Sequence, residues 1–111
     1  MATKKIPKDL EKEISNYIKI LKEDKLSIEK IILFGSYARG MQNEWSDVDL
    51  CIISSQFNDA WEALNYLSKK TSPNPKYYLE PVGFHPKDLE DPYSPLISEI
   101  KKNGIELSVN L

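Results

Sequence analysis

Two aspartates one residue apart, Asp47 and Asp49, stand at the head of an apolar run, DVDLCII. In an extended chain residues i and i+2 face the same way, so both carboxylates converge at one edge of a sheet. Like charges so placed repel unless a cation sits between them. Hard oxygen ligands suit Mg²⁺, which is readily shared with substrate phosphates. With ten residues between it and this pair, Gly35-Ser36 closes another apolar run and opens the turn GSYARG. Glycines at 35 and 40 let the backbone turn sharply and approach a ligand closely. Exposed amides at a helix start, with the Ser36 hydroxyl, can receive an anion such as a phosphate. Arg39 is the only arginine among fifteen basic residues. Its guanidinium can hold phosphate oxygens in a two-pronged grip that lysine cannot reproduce. A phosphate cradle beside a carboxylate pair is the layout for metal-assisted phosphoryl or nucleotidyl transfer, in which two ions brace the attacking and departing oxygens. Glu80, in an apolar stretch with Leu79 and Val82, is the candidate third acid, as metal ligand or as base for an incoming hydroxyl. The competing reading places it on an edge strand, facing water.

The elements that must position these residues follow from patterning. Pro7 suits the first position of a helix, and Leu10, Ile14, Ile18 and Leu21 recur along it at helical spacing. The pattern breaks near 24–27. A short β-branched run over 28–35 reads as a buried strand, and 47–53 as a second. Asn58 is the expected N-cap of a helix carrying Trp61, Leu64 and Leu67 and ending at Lys69-Lys70. Residues 76–84 alternate and read as a third strand, where Pro81 calls for an edge position or a bulge. A turn or short helix over 86–91 precedes a helix capped by Ser94-Pro95 and closed at Asn103-Gly104. A terminal strand over 105–109 completes the order. The expected class is α/β (α+β): a mixed β-sheet with helices packed mainly on one face.

The 111 residues suit one domain, 1–111, with one core. A formal charge of -2 argues against a chain whose main task is gripping a nucleic-acid backbone, so no direct nucleic-acid binding is expected. The single cysteine, Cys51, can form neither an internal disulfide nor a zinc tetrad. No apolar run spans a bilayer and the amino terminus has no apolar signal core, so no membrane association and a cytoplasmic location are expected.

Gly35-Ser36, ten intervening residues and Asp47-Val48-Asp49 together resemble the minimal nucleotidyltransferases of the DNA polymerase β superfamily, and GSYARG with SDVDL resembles their antitoxin branch. The resemblance runs from Ile28 to about Val109. It implies the nucleotidyltransferase fold, with Gly35 and Ser36 on the triphosphate, Asp47 and Asp49 on Mg²⁺, and Glu80 as the third acid. That acid is often aspartate, so a glutamate followed by Pro81 departs from the pattern. The resemblance also implies ATP as substrate, two Mg²⁺ ions, and a small helical HEPN-type partner protein whose tyrosine receives AMP. A rival reading is a non-catalytic antitoxin that neutralises its partner by contact. Transfer to a small molecule such as an aminoglycoside is disfavoured, because those enzymes resemble this domain plus another.

The remaining residues read more plainly. His85 is expected in a turn, Trp45 and Tyr37 as hydrophobic cover, and Cys51 as a small buried side chain on the face of the aspartates. Tyr77 and Tyr78 should take opposite faces of their strand, and Lys101-Lys102 suits a helix C-terminus. An exposed sheet edge and an apolar terminal strand call for burial, in a homodimer or against the partner.

Overall fold

The computed structural model describes residues 6–43, 46–73 and 75–108. Helix α1, Lys8–Glu23, follows Pro7 and buries Leu10, Ile14, Tyr17, Ile18 and Leu21 along one stripe. Strand β1, Lys30–Phe34, leads into α2, Ser36–Arg39, a single turn closed by Gly40 in the left-handed conformation. Strand β2, Val48–Ile53, is followed by α3, Ala60–Ser68, and by β3, Leu79–Phe84. A 3-10 turn over Pro86–Glu90, helix α4 over Pro95–Asn103 and strand β4 over Ile105–Leu107 complete the chain.

The four strands form one mixed sheet in the order β3-β2-β1-β4. β1 runs antiparallel to both β2 and β4, while β2 and β3 are parallel, as a connection through α3 allows. Alternation sorts β2 between two cores. Val48, Leu50 and Ile52 join Ile31 and Leu33 against α1 and α3, the main helical layer. Cys51 and Ile53 pack with Phe34 and Ile100 of α4 on the opposite face. Asp49 shares that second face by its place in the alternation.

Pro81 sits on an edge strand. The ladder to β2 is closed at its ends by Val48 N–H to the Tyr78 carbonyl, 2.9 Å, and Ser54 N–H to the Phe84 carbonyl, 3.0 Å. By that parity the backbones of Leu79, Pro81 and Gly83 face away from β2, where proline's missing N–H leaves no ladder bond unmade.

Several sequence expectations are revised. The α3 cap is Asp59, whose Oδ1 accepts from Glu62 N–H at 2.7 Å, and not Asn58. Asn58 instead donates from Nδ2 to Glu62 Oε1 at 3.3 Å. The buried stripe of α3 is Ala63 and Leu67, which leaves Trp61 72% and Leu64 36% exposed. The strands are shorter than their apolar runs: β1 starts at Lys30 and β3 at Leu79, so Ile28, Glu29 and 76–78 precede them. Among the described residues no helix is long and apolar enough to cross a membrane.

Candidate active site

Gly35 sits at φ +78°, ψ -152°, a combination open only to glycine. A Cβ there would collide with the Asp49 carboxylate. The Gly-Ser turn and the second aspartate are therefore packed directly together. Within α2, Arg39 N–H bonds to the Gly35 carbonyl and Met41 N–H to the Ser36 carbonyl. The amides of Ser36, Tyr37 and Ala38 fall outside this ladder, as in any first helical turn.

The third acid arrives through the sheet. In the parallel β2–β3 register Glu80 lies opposite Asp49, and Val48 opposite Leu79. Asp47, Asp49 and Glu80 thus share one end of one face. The Glu80 carboxyl hydrogen-bonds the Asp47 side chain, and this bond, with some burial and the charges of Asp47 and Asp49, raises its pKa. Burial, with the Asp47 charge behind it, raises that of Asp49. Like charge is thus one of the causes that favour the protonated form of both. The ion pairs of the described residues join Arg39 to Glu99, Lys70 to Asp24 and Lys76 to Asp9, so none neutralises the three.

The carboxylates are not drawn into a finished coordination shell: among the described residues no trio of His, Cys, Asp and Glu is arranged to hold an ion as it stands. Their donor chemistry nonetheless fits a hard divalent cation. All three offer oxygen, Asp49 is half-buried against the glycine turn while Asp47 and Glu80 are exposed, and added positive charge would relieve the like-charge part of the shifts in Asp49 and Glu80.

Two cavities flank the acids. One of about 650 Å³ includes Asp47, Ser46, Asn43, Tyr37, Tyr77 and Tyr78. The other, about 270 Å³, includes Asp49, Glu80, Val82, Leu64, Ser68 and Thr71. A separate hollow of about 260 Å³ among Asp24, Phe57 and Tyr66 contains none of the three acids.

Arg39 places its Nε 3.8 Å from Glu99 Oε2. Glu99 Oε1 accepts from Asn103 Nδ2 at 3.1 Å, while Oε2 is buried without a hydrogen bond. This partner on α4 has no signal in the short-range spacing around Arg39. A second contact that sequence reasoning missed pins the approach to β3: Asp9 pairs with Lys76 and accepts from the Tyr77 hydroxyl at 2.8 Å. These partners hold the Asp9 carboxyl below its usual range and push the Tyr77 phenol up to about 12.

His85 caps the 3-10 turn, its Nδ1 accepting from Lys87 N–H at 3.0 Å. Tyr37 packs on the core and meets the Tyr77 ring edge-on, centroids 6.4 Å apart. Cys51 is fully buried, which pushes its thiol up to about 12. Tyr78 is 65% exposed, opposite in character to its half-buried neighbour Tyr77. Lys101 donates to the Leu89 carbonyl at 3.0 Å. Trp45 lies outside the described residues.

The profile of the nucleotidyltransferase domain family matches residues 14–107. The chain belongs to this family. Among relatives of this nucleotidyltransferase domain in Methanocaldococcus jannaschii, "Putative protein adenylyltransferase MJ0141" is 32% identical over 104 residues, 92% of this chain and 95% of that one. "Putative protein adenylyltransferase MJ1379" of the same organism is 40% identical over 63 residues, 52% of this chain but only 63% of that relative. Solved structures agree in fold. A nucleotidyltransferase of Sulfolobus solfataricus, so described with the word putative, superposes at TM-score 0.57 and 16% identity over 95% of this chain and 90% of that one. A toxin-antitoxin structure with AMP-PNP superposes at TM-score 0.51 and 23% identity over 85% and 72%. The mixed sheet and the enzyme class expected from the Gly-Ser and Asp-x-Asp motifs are those of the family.

Proposed function

We propose that this nucleotidyltransferase moves AMP from ATP onto a hydroxyl of a partner protein, and that it serves as the antitoxin of a pair with a HEPN-type toxin. One observation carries the catalytic part: Glu80 lies opposite Asp49 in the parallel β2–β3 register, although some thirty residues separate the two. Support for the substrate and partner comes from relatives named as protein adenylyltransferases and from the fold shared with a toxin-antitoxin structure.

In this reading Asp47, Asp49 and Glu80 hold Mg²⁺, with two ions expected, and Gly35, Ser36 and Arg39 receive the triphosphate. Bound Mg²⁺ supplies the positive charge that lets three carboxylates and a polyphosphate share one site. Gly35 admits the phosphates close to Asp49 because no Cβ intervenes. The Ser36 hydroxyl and first-turn amides donate to phosphate oxygens. Arg39 must leave Glu99 to do the same, or act from where it stands through charge alone. The acceptor oxygen bonds to the α-phosphorus, the bond from that phosphorus to the bridging oxygen of pyrophosphate breaks, and the hydroxyl proton passes to a carboxylate. Glu80, opposite Asp49 in the β2–β3 register, is placed to take it. The cytoplasm, which supplies ATP and Mg²⁺, is the proposed location.

Incubation with α-labelled ATP, Mg²⁺ and the product of the neighbouring gene tests the proposal. Label should appear on the partner with the wild type and not with Asp47→Asn/Asp49→Asn. Neutralisation of the partner in cells by that double variant would favour the contact-only alternative.

A further inference from the structure

Helix α3 exposes apolar side chains where a core was expected. Trp61 is 72% and Leu64 36% exposed, three residues apart and hence neighbours on one helical surface. Tryptophan is enriched and leucine under-represented among the residues that carry binding energy at protein interfaces. The surface has a direction. Leu64 lines the 270 Å³ cavity together with Asp49 and Glu80, so that cavity reaches around the β3 edge from the acids to α3. β3, the other wall, is an edge strand.

The two cavities beside the acids differ in capacity. The one at Asp47, about 650 Å³, lies within the roughly 300–1,000 Å³ usual for small-molecule ligands. The one at Glu80, about 270 Å³, falls below that range and suits a single side chain. A two-substrate transfer needs two approaches to one set of acids, and the geometry points to this division of them.

We propose that the α3–β3 side is the docking surface for the acceptor protein. An apolar patch of that protein covers Trp61 and Leu64, and one hydroxyl-bearing side chain enters the smaller cavity to reach Glu80. This rests on the transfer reading above. The occupant is a different protein and not a second copy of this chain. A two-fold self-contact through this face would bring two sets of Asp47, Asp49 and Glu80 toward each other, and like-charge juxtaposition opposes association.

The test compares the wild type with Trp61→Ala/Leu64→Ser, measuring association with the HEPN-type partner by titration calorimetry and Mg-ATP binding in parallel. The double variant should bind the partner at least tenfold more weakly, keep its Mg-ATP affinity, and retain the wild-type circular dichroism spectrum. Asp47→Asn/Asp49→Asn should lose transfer yet still bind the partner, which separates failure of docking from failure of chemistry. Equal partner affinity in Trp61→Ala/Leu64→Ser and wild type overturns the proposal. So does a wild type that does not associate with the partner, or a double variant whose only change is loss of self-association in sedimentation.

Discussion

Gly35 carries two constraints at once: its backbone lies where only glycine is relaxed, and the space its side chain would need is taken by the Asp49 carboxylate. Gly35→Ala should cost about 1–3 kcal/mol through the backbone alone and push Asp49 aside. A lower melting temperature with at least a tenfold loss of transfer is expected, read from a thermal melt and the labelled-ATP assay. The acids make a second prediction. Asp49 and Glu80 hold protons more tightly in the folded chain than their ordinary values, so these two acids bind more protons folded than unfolded. Their contribution to metal-free stability therefore falls as pH rises from about 4 through the raised values, and is level beyond them. Asp49→Asn removes part of that decline. In EDTA it should raise the melting temperature by a few degrees at pH 7 and change it little at pH 4, whereas Mg²⁺ should stabilise the wild type and not Asp47→Asn/Asp49→Asn.

Elements explain why the site stays in place. β3 can bring Glu80 to Asp49 because α3 packs tightly over Gly83, where a Cβ would come within 2.6 Å of Phe57, 2.8 Å of Ala63 and 2.9 Å of Leu67. Gly83→Ala should cost about 1–3 kcal/mol by overpacking, visible as a lower urea midpoint with the slope unchanged. On the other face, Ser94 Oγ accepts from Ile97 N–H at 3.1 Å and caps α4. Ser94→Ala should cost about 1 kcal/mol, and it should loosen Glu99, the α4 partner of Arg39, more than it disturbs the acids. Periodicity and Pro/Gly punctuation made these elements legible: α1, the Ser94 cap and the edge position of Pro81 follow from local rules. The face of α3 did not. Trp61 and Leu64 satisfy a helical apolar pattern as well as Ala63 and Leu67 do, and only the tertiary fit over Gly83 decides which pair goes inside. The cap shifted by one residue for a related reason, since Asn58 and Asp59 are both good N-caps and the turn after β2 selects the second.

Across the whole molecule, the order β3-β2-β1-β4 turns three distant stretches of sequence into one site. Asp47 and Asp49 were readable as a pair because strand alternation is local. Glu80 needed the parallel register of β3 on β2, which no short-range pattern encodes, and its candidacy rested on being an acid among apolar neighbours. The link between Arg39 and Glu99, and the tie from Asp9 to Lys76 and Tyr77, depend on helices meeting loops across the fold and left no trace in spacing. The proposed function makes one demand: nucleotide uptake must depend on a divalent ion held by the three acids. Titration calorimetry of ATP, with and without Mg²⁺, against the wild type and Asp47→Asn/Asp49→Asn measures this directly. Binding that requires Mg²⁺ in the wild type and vanishes in the double variant is the predicted result; ATP binding indifferent to Mg²⁺, or unchanged by the two substitutions, would contradict it.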